Sequence, residues 1–180
     1  MNITVMLIIL IIFIIILWII GTINKINRLE VKISEANSSI DIALTKRYDV
    51  LTKMIATVKW YTHHEENTMF EIVNLRNGMS TKEKNEEYEK MNRNIEKLNV
   101  VVENYPDLKA NSNFQILQKS IINVEEELEA TRRMYNSNIS YYNQIIVNFP
   151  TSIIGMIMKK NKKDFFEAES YKKEDVKIEF

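Results

Sequence analysis

The chain opens on a run with almost no polar positions. Residues 1–24, MNITVMLIILIIFIIILWIIGTIN, carry no charged side chain, and Ile3 to Ile20 is hydrocarbon broken by one threonine. Extended to Ile23, the run is about 21 residues, roughly 30 Å of helix, which matches the hydrocarbon core of a bilayer. Trp18 stands near its end, where an amphipathic ring sits well at headgroup level. A cleaved signal peptide would show a basic start, a shorter apolar core and a small-x-small cleavage site, and the run has none of these. A wholly buried core helix would need a larger domain to enclose it. The pattern therefore predicts a transmembrane anchor over residues 1–24.

Beyond residue 25 the apolar positions take up helical spacing. Ile33, Ile40, Leu44, Tyr48, Leu51, Ile55 and Val58 recur mostly every three or four residues, with no proline among them. This predicts a helix continuing out of the membrane to about Tyr61. A shorter apolar stretch, Met69, Ile72 and Val73, comes after the polar run HHEEN. After Gly78, Ser80 with Glu83 three residues on is a capping box, and the helix it opens aligns Tyr88, Met91, Ile95, Leu98, Val102 and Tyr105. Pro106 must end that helix. Phe114, Leu117, Ile121, Val124, Leu128, Thr131, Tyr135, Asn138, Tyr142, Ile145 and Phe149 then form the most regular seam, closed by Pro150. In the linker YPDLKAN, Asp107 or Asn111 can cap the last helix. Each stripe is narrow and each opposite face charged, so each helix can bury one side only. The fold class predicted is all-α: an N-terminal transmembrane helix, then a long antiparallel bundle of three to four helices over 25–149. The tail, 150–180, holds TSIIGMIM and KKNKK before Phe165, Phe166 and Phe180. It is expected to pack back on the bundle; the alternative lays the patch and its lysines on an anionic bilayer surface.

Composition sharpens this picture. Three glycines and two prolines in 180 residues are too few for the turns of a sheet protein. The 24 basic and 24 acidic residues cancel, so no net field recruits nucleic acid. With no cysteine, disulfide and thiolate chemistry are excluded. Lys25, Arg28 and Lys32 come after the span and nothing basic precedes it, which favours a single-pass protein with its C-terminal domain in the cytoplasm.

Little in the chain points to catalysis. His63, His64, Glu65 and Glu66 invite a metal, but adjacent helical residues point about 100° apart, and the zincin spacing is not met. No phosphate-binding glycine loop and no G-x-S-x-G occurs. Glu125–Glu126–Glu127 is a charge run of the kind usually solvated. No catalytic residue, metal site or cofactor is expected. The polar residues in or beside the seams are more informative: Asp41, Arg47, Asp49, Arg132, Arg133, Asn136, Asn138 and Asn143. Such groups cost stability yet can fix helix register. Arg132 or Arg133 is expected to pair with Asp41 or Asp49 between first and last helices, with solvated surface charges as the alternative.

Three blocks of the chain resemble the LemA family. The first is SIDIALTKRYDVLTKMIATVKWYTHHE, with Asp41, Arg47-Tyr48-Asp49, Val58-Lys59, Tyr61 and His64-Glu65. The second is ENYPDLKANSNFQILQ, with Tyr105, Pro106, Leu108, Lys109, Ala110 and Asn111. The third is RRMYNSNISYYNQIIVNFPTSII, with Arg132, Arg133, Tyr135, Asn136, Tyr142, Asn143, Phe149 and Pro150; DFFEAE fits the family's closing segment. The resemblance implies a bacterial, membrane-anchored helical bundle with no established activity or cofactor. Family members often carry a proline shortly after Arg-Tyr-Asp, where this chain has Thr52, so the first helix is expected to run on without that kink. The expected partners are the bilayer, through residues 3–23, and an unidentified protein or a second copy of the chain. The expected role is a non-enzymatic scaffold, or alternatively an envelope sensor signalling through the continuous first helix.

Overall fold

The structure, a computed structural model, describes residues 3–62 and 70–166. Within the described residues five helices succeed one another: α1 (Ile3–Thr62), α2 (Thr81–Glu103), α3 (Pro106–Ala110), α4 (Ser112–Val147) and α5 (Thr151–Ile157). Among the described residues there is no strand. The class is all-α, as the seams imply, and α1 passes Thr52 unbroken. The chain falls into two compact units, Met1–Asn37 with Met134–Phe165, and Ser38–Arg133 with Phe166–Phe180. Each unit takes its own stretch of α1 and of α4.

In the Ser38–Arg133 unit α1 buries the small Ala43 and, as its large side chains, the line Ile40, Leu44, Arg47, Leu51, Met54 and Val58. That is a strict alternation of four and three, rotated slightly from the seam read off the sequence: Arg47 and Met54 replace Tyr48 and Ile55, which are only half-buried. Leu51, Met54 and Val58 pack with Met91, Leu98 and Val102 of α2, Leu108 of α3 and Phe114 of α4. Full burial of such side chains stabilises by about 1.5–3 kcal/mol each relative to exposure.

Polar contacts between the helices show their directions. Asp41 meets Lys84 and Arg47 meets Asn92, so α2 runs parallel to α1. Lys46 meets Glu127 while Tyr61 meets Asn111, so α4 runs antiparallel to α1. A parallel pair needs a long return. Part of it is described: Phe70 to Leu75 is extended, not helical, and runs back along α2. The backbone N–H of Glu71 bonds the side chain of Asn94, and that of Asn74 the side chain of Glu87. Three extended residues advance about 10 Å, and seven helical residues also advance about 10 Å, so strap and helix stay in step. The strap turns at Gly78, whose φ of 78° is in the left-handed region that glycine enters without penalty.

The expected capping box opens α2. Ser80 Oγ accepts from the Glu83 N–H at 3.3 Å, and Glu83 Oε2 accepts from the Ser80 N–H at 2.8 Å. The Ser80 N–H and the Arg76 side chain hold the Glu83 carboxyl below the usual range. At the far end, Tyr105 to Asn111 makes a compact corner. Pro106 begins α3, where its missing N–H costs nothing, and Leu108 inserts into the core. Asn111, one of the two candidate caps, is the one used. Its Oδ1 accepts from the Phe114 N–H at 3.1 Å while its Nδ2 donates to Tyr61 Oη at 2.6 Å, tying the start of α4 to the end of α1. Asn111→Ala removes both bonds and is expected to cost about 1–2 kcal/mol. Thermal unfolding of the detergent-solubilised chain by circular dichroism should show it, and an unchanged midpoint would mean that water replaces the cap.

In the other unit, Ile26, Leu29, Ile33 and Ala36 of α1 are buried along with Tyr135, Ile139, Tyr142, Ile145 and Ile146 of α4 and Ile154 of α5. Here the α4 seam turns on Ile139 rather than Asn138, which sits at its edge and donates to the Lys32 carbonyl at 3.4 Å. Phe149, placed in the seam by the sequence pattern, is exposed instead, because α4 ends at Val147 and the chain turns away. Gly155 lets α5 close on α4: a Cβ there would lie 3.3 Å from Ile146 Cα. Ahead of this core, Ile3 to Trp18 exposes its side chains around the whole helix, and the most apolar window is wholly unburied.

Candidate functional site

The most concentrated polar chemistry is centred on Arg47. An arginine at a seam position must carry its guanidinium into the core, and here it is 2% exposed. Its Nη2 donates to Asn92 Oδ1 at 2.5 Å and its Nη1 to the Tyr88 carbonyl at 3.2 Å. That carbonyl oxygen has a second lone pair beyond the one its helix uses. Nε lies 2.9 Å from Glu125 Oε2 but off the line of a hydrogen bond, so this contact is Coulombic. The guanidinium also sits 4.3 Å from the centroid of the Tyr88 ring. Tyr88 Oη donates to Glu125 Oε1 at 2.5 Å, which closes a triangle across α1, α2 and α4. Arg132 lies against the Tyr88 ring at 4.8 Å and the Phe166 ring at 4.6 Å. Planar arginine suits such stacking, since it is weakly hydrated and always charged.

Lys84, four residues before Tyr88, is 3% exposed and reaches Asp41 Oδ1 at 2.5 Å. The expected salt bridges between Arg132 or Arg133 and Asp41 or Asp49 are therefore not the ones formed. Asp41 pairs with α2, and Arg133 pairs with Glu129 on its own helix, at the surface. Asp49 is exposed. Of the polar residues that stand out in the sequence, Arg47 becomes the hub, and Arg132 joins it through Tyr88. Asn136 and Asn143 are half-buried on α4 in the other unit.

The strap is held by a second polar set. Asn94 takes the Glu71 N–H on Oδ1 at 2.8 Å and donates Nδ2 to the Glu71 carbonyl at 2.9 Å, so one amide side chain mimics a strand neighbour. The Glu71 carboxylate receives a fork from Arg93, Nε and Nη2 both at 2.8 Å, with Lys97 farther off at 3.5 Å. The hydrogen bonds from Arg93, reinforced by its charge and by Lys97, lower the Glu71 carboxyl to about 2. A depressed folded pKa stabilises above the unfolded value near 4.5, and that contribution is lost as pH falls towards 2. The Tm difference between wild type and Glu71→Gln should therefore be full at pH 6 and vanish near pH 2. Both partners are partly exposed, so its size stays under about 1 kcal/mol. A gap that persists unchanged at pH 2 would mean that the ion pair is not its source.

The same amide device recurs in the other unit. Asn143 donates Nδ2 to the Lys163 carbonyl and accepts the Lys163 N–H, both at 2.9 Å, and so fastens the segment after α5 along α4. Lys160 Nζ meets both Glu30 oxygens at 2.8 Å. Burial, with Glu30 nearby, pushes the Tyr142 phenol up. At the end of the apolar run lies an open groove of about 440 Å³ lined by Gly21, Asn24, Lys25, Arg28, Leu29, Lys32 and Tyr141. Lys25 Nζ sits 4.7 Å from the Tyr141 ring centroid.

Lys84, Asn92 and Asn94 do not stand out in the sequence, and Glu125, expected there in a solvated charge run, instead faces Arg47 and Tyr88. A signal exists for some of them: Lys84, Glu87, Met91, Asn94 and Leu98 recur every three or four residues, so the polar members are in phase with the seam. Among the described residues no group of three or more His, Cys, Asp and Glu side chains is arranged to hold a metal ion. His63 to Glu66 lie outside the described residues.

Long helices tied by buried side-chain amides and a core arginine, continuous with an exposed apolar N-terminal stretch, define an all-helical bundle protein whose first helix is long and apolar enough to cross a membrane. The LemA family profile matches residues 36–180, and the chain belongs to the LemA family. It is similar to Protein LemA of Metamycoplasma hominis, 29% identical over 150 residues that cover 81% of this chain and 68% of the relative.

Proposed function

We propose that the protein is a non-enzymatic scaffold tethered to the bacterial cell membrane through residues 3–23, with its remaining helices in the cytoplasm. The observation that carries this is the wholly exposed apolar stretch at the start of α1, which water would not tolerate and hydrocarbon would. The cations Lys25, Arg28 and Lys32 come directly after it and support the orientation. The buried charges around Arg47 and Lys84 are spent on fastening helices to one another, which suits a rigid docking platform. Exposed apolar side chains of the second unit, Val100, Ile116 and Ile122, offer contact area for a protein partner. Membranes from the host should retain the protein through alkaline carbonate and release it with detergent; recovery in the carbonate supernatant would sink the anchor. Crosslinking the solubilised protein should then capture a reproducible partner or a second copy, and monomer alone would count against scaffolding.

A second reading has one observation in its favour. Because α1 is unbroken from the apolar stretch past Thr52, a change at the membrane can pass along it, as an envelope sensor or signalling adaptor requires. Thr52 is exposed, so Thr52→Pro would interrupt the helix without removing a core side chain. A scaffold should keep its crosslinked partners in that variant; a transmitter should exchange or lose them.

A further inference from the structure

Beyond the single span, we infer that α5 is a second membrane contact: a short foot whose apolar outer face lies in the headgroup and acyl boundary of the same bilayer that α1 crosses. The inference rests on the membrane-spanning reading of residues 3–23 and adds a surface to it. α5 has two unlike sides. Ile154 and Gly155 are buried, Gly155 directly against Ile146 of α4. On the other side Ile153, Met156 and Ile157, at helical spacing, are exposed, the last two 70% and 74%. Phe149, at the corner just before, is 82% exposed. A cluster of large apolar side chains facing water marks a contact surface.

The register of α4 on α1 points to the bilayer as its cover. Tyr141 stacks with Lys25, Tyr142 approaches Glu30 and Asn138 reaches Lys32, so α4 climbs towards the N-terminus of α1. From Tyr141 to Val147 is about 9 Å of further rise. Counted from Asn138, Tyr142 and Tyr141 in turn, Val147 comes level with about residues 23, 25 and 19 of α1, around Ile23 where the apolar run ends. Burial on α1 begins at the same height, with Ile19 half-buried and Thr22 buried. Gly155 packs on Ile146 and Lys160 on Glu30, so α5 turns back from that corner and its exposed face sits about one turn below the end of the span, at headgroup level. Lys159 and Lys162, both exposed, come next in the chain, and their charges suit anionic headgroups while their stems lie along apolar surface.

The chain has no cysteine, so single cysteines can report depth without background. Met156→Cys, Phe149→Cys, Thr52→Cys and Ile12→Cys would be labelled with an environment-sensitive fluorophore. Each full-length variant is reconstituted in vesicles of phosphatidylcholine with phosphatidylglycerol carrying brominated acyl chains. All four positions are exposed, so folding should survive. The expected result is strong quenching at Ile12→Cys and quenching at Met156→Cys and Phe149→Cys several-fold above that at Thr52→Cys. Quenching at Ile12→Cys with Met156→Cys indistinguishable from Thr52→Cys overturns the foot and leaves the span standing. No quenching at Ile12→Cys overturns both. Efficient disulfide-linked dimers of Met156→Cys in the vesicles, with no lipid quenching, would assign the face to a second copy and overturn the lipid assignment.

Discussion

Arg47→Ala is expected to cost about 3 kcal/mol of stability, the lower end of what breaking a buried ion pair costs. For a chain of this size that is a fall of roughly 6–12 °C in Tm. Three losses add up. The long stem leaves a hole in a seam that otherwise holds leucine, isoleucine and methionine. Asn92 Oδ1 loses its donor, and the Glu125 carboxylate loses its counter-charge. Glu125 is 40% exposed, so water takes over part of its solvation and keeps the cost from the upper end of the range. Three further variants separate these causes. Arg47→Met keeps the stem and removes the charge, and Arg47→Lys keeps the charge and loses the planar fork. A double-mutant cycle with Glu125→Gln should return a coupling energy of about 0.5–3 kcal/mol. The measurement is thermal unfolding of the detergent-solubilised full chain. A shift under about 2 °C for Arg47→Ala would mean that the guanidinium is dispensable.

Arg47 also shows where sequence reading stops. The periodicity of α1 is plain, and with it the helix and its length. Its phase is less so, because an apolar-only reading prefers Tyr48 to Arg47 and Ile55 to Met54. The true seam is recovered only by allowing a charged residue into it. That requires knowing that α2 supplies a carbonyl and an amide oxygen at the right height. Arg47, Asp41 and Arg132 stand out as polar residues in or beside the seams, yet the pairing expected of the aspartates and Arg132 was across α1 and α4. The partners that Arg47, Asp41 and Arg132 meet are instead Glu125, Lys84 and the rings of Tyr88 and Phe166.

Local rules fared better than long-range ones for the same reason. The capping box at Ser80, the stop at Pro106 and the cap at Asn111 involve residues a few positions apart, and each forms as the sequence suggests. The parallel course of α2 could not be read, since it depends on the path of the return segment. Phe70 to Leu75 lacks the alternation of a strand, and its backbone is satisfied by side chains of α2 rather than by a neighbouring strand. Many residues of the blocks that resemble the LemA family make these long-range ties. Asp41, Arg47, Tyr61, Asn111, Arg132 and Asn143 each bind a group distant in the chain. Within each unit these residues of the blocks are thus fastenings of the fold.

The strap supplies the second large effect. Asn94→Leu is expected to cost about 2–3 kcal/mol and to free the strap from α2. Leucine has the branched shape of asparagine with somewhat more bulk, so the substitution leaves no hole, and lost hydrogen bonds dominate the cost. Asn94 is 1% exposed and holds both polar groups of the Glu71 peptide backbone. Leucine would leave an N–H and a carbonyl facing an apolar side chain, at about 1–3 kcal/mol for each group that stays buried. The strap can escape that penalty by lifting into water, which caps the loss at the free energy of docking it. What holds it then is the Asn74 N–H on Glu87, the Arg93 fork and the packing of Phe70, Val73 and Leu75. Hydrogen exchange separates the two outcomes. Amides of Glu71 and Asn74 should lose protection together in Asn94→Leu, while those of α2 around Met91 keep theirs. Loss of protection along α2 as well would make the strap part of the cooperative core. Unchanged protection at Glu71 would show that the amide clamp holds nothing. Detachment alone would make the strap the part of this unit most easily exchanged for a partner's segment, since Asn94 accepts any extended backbone that presents an N–H and a carbonyl in the same register.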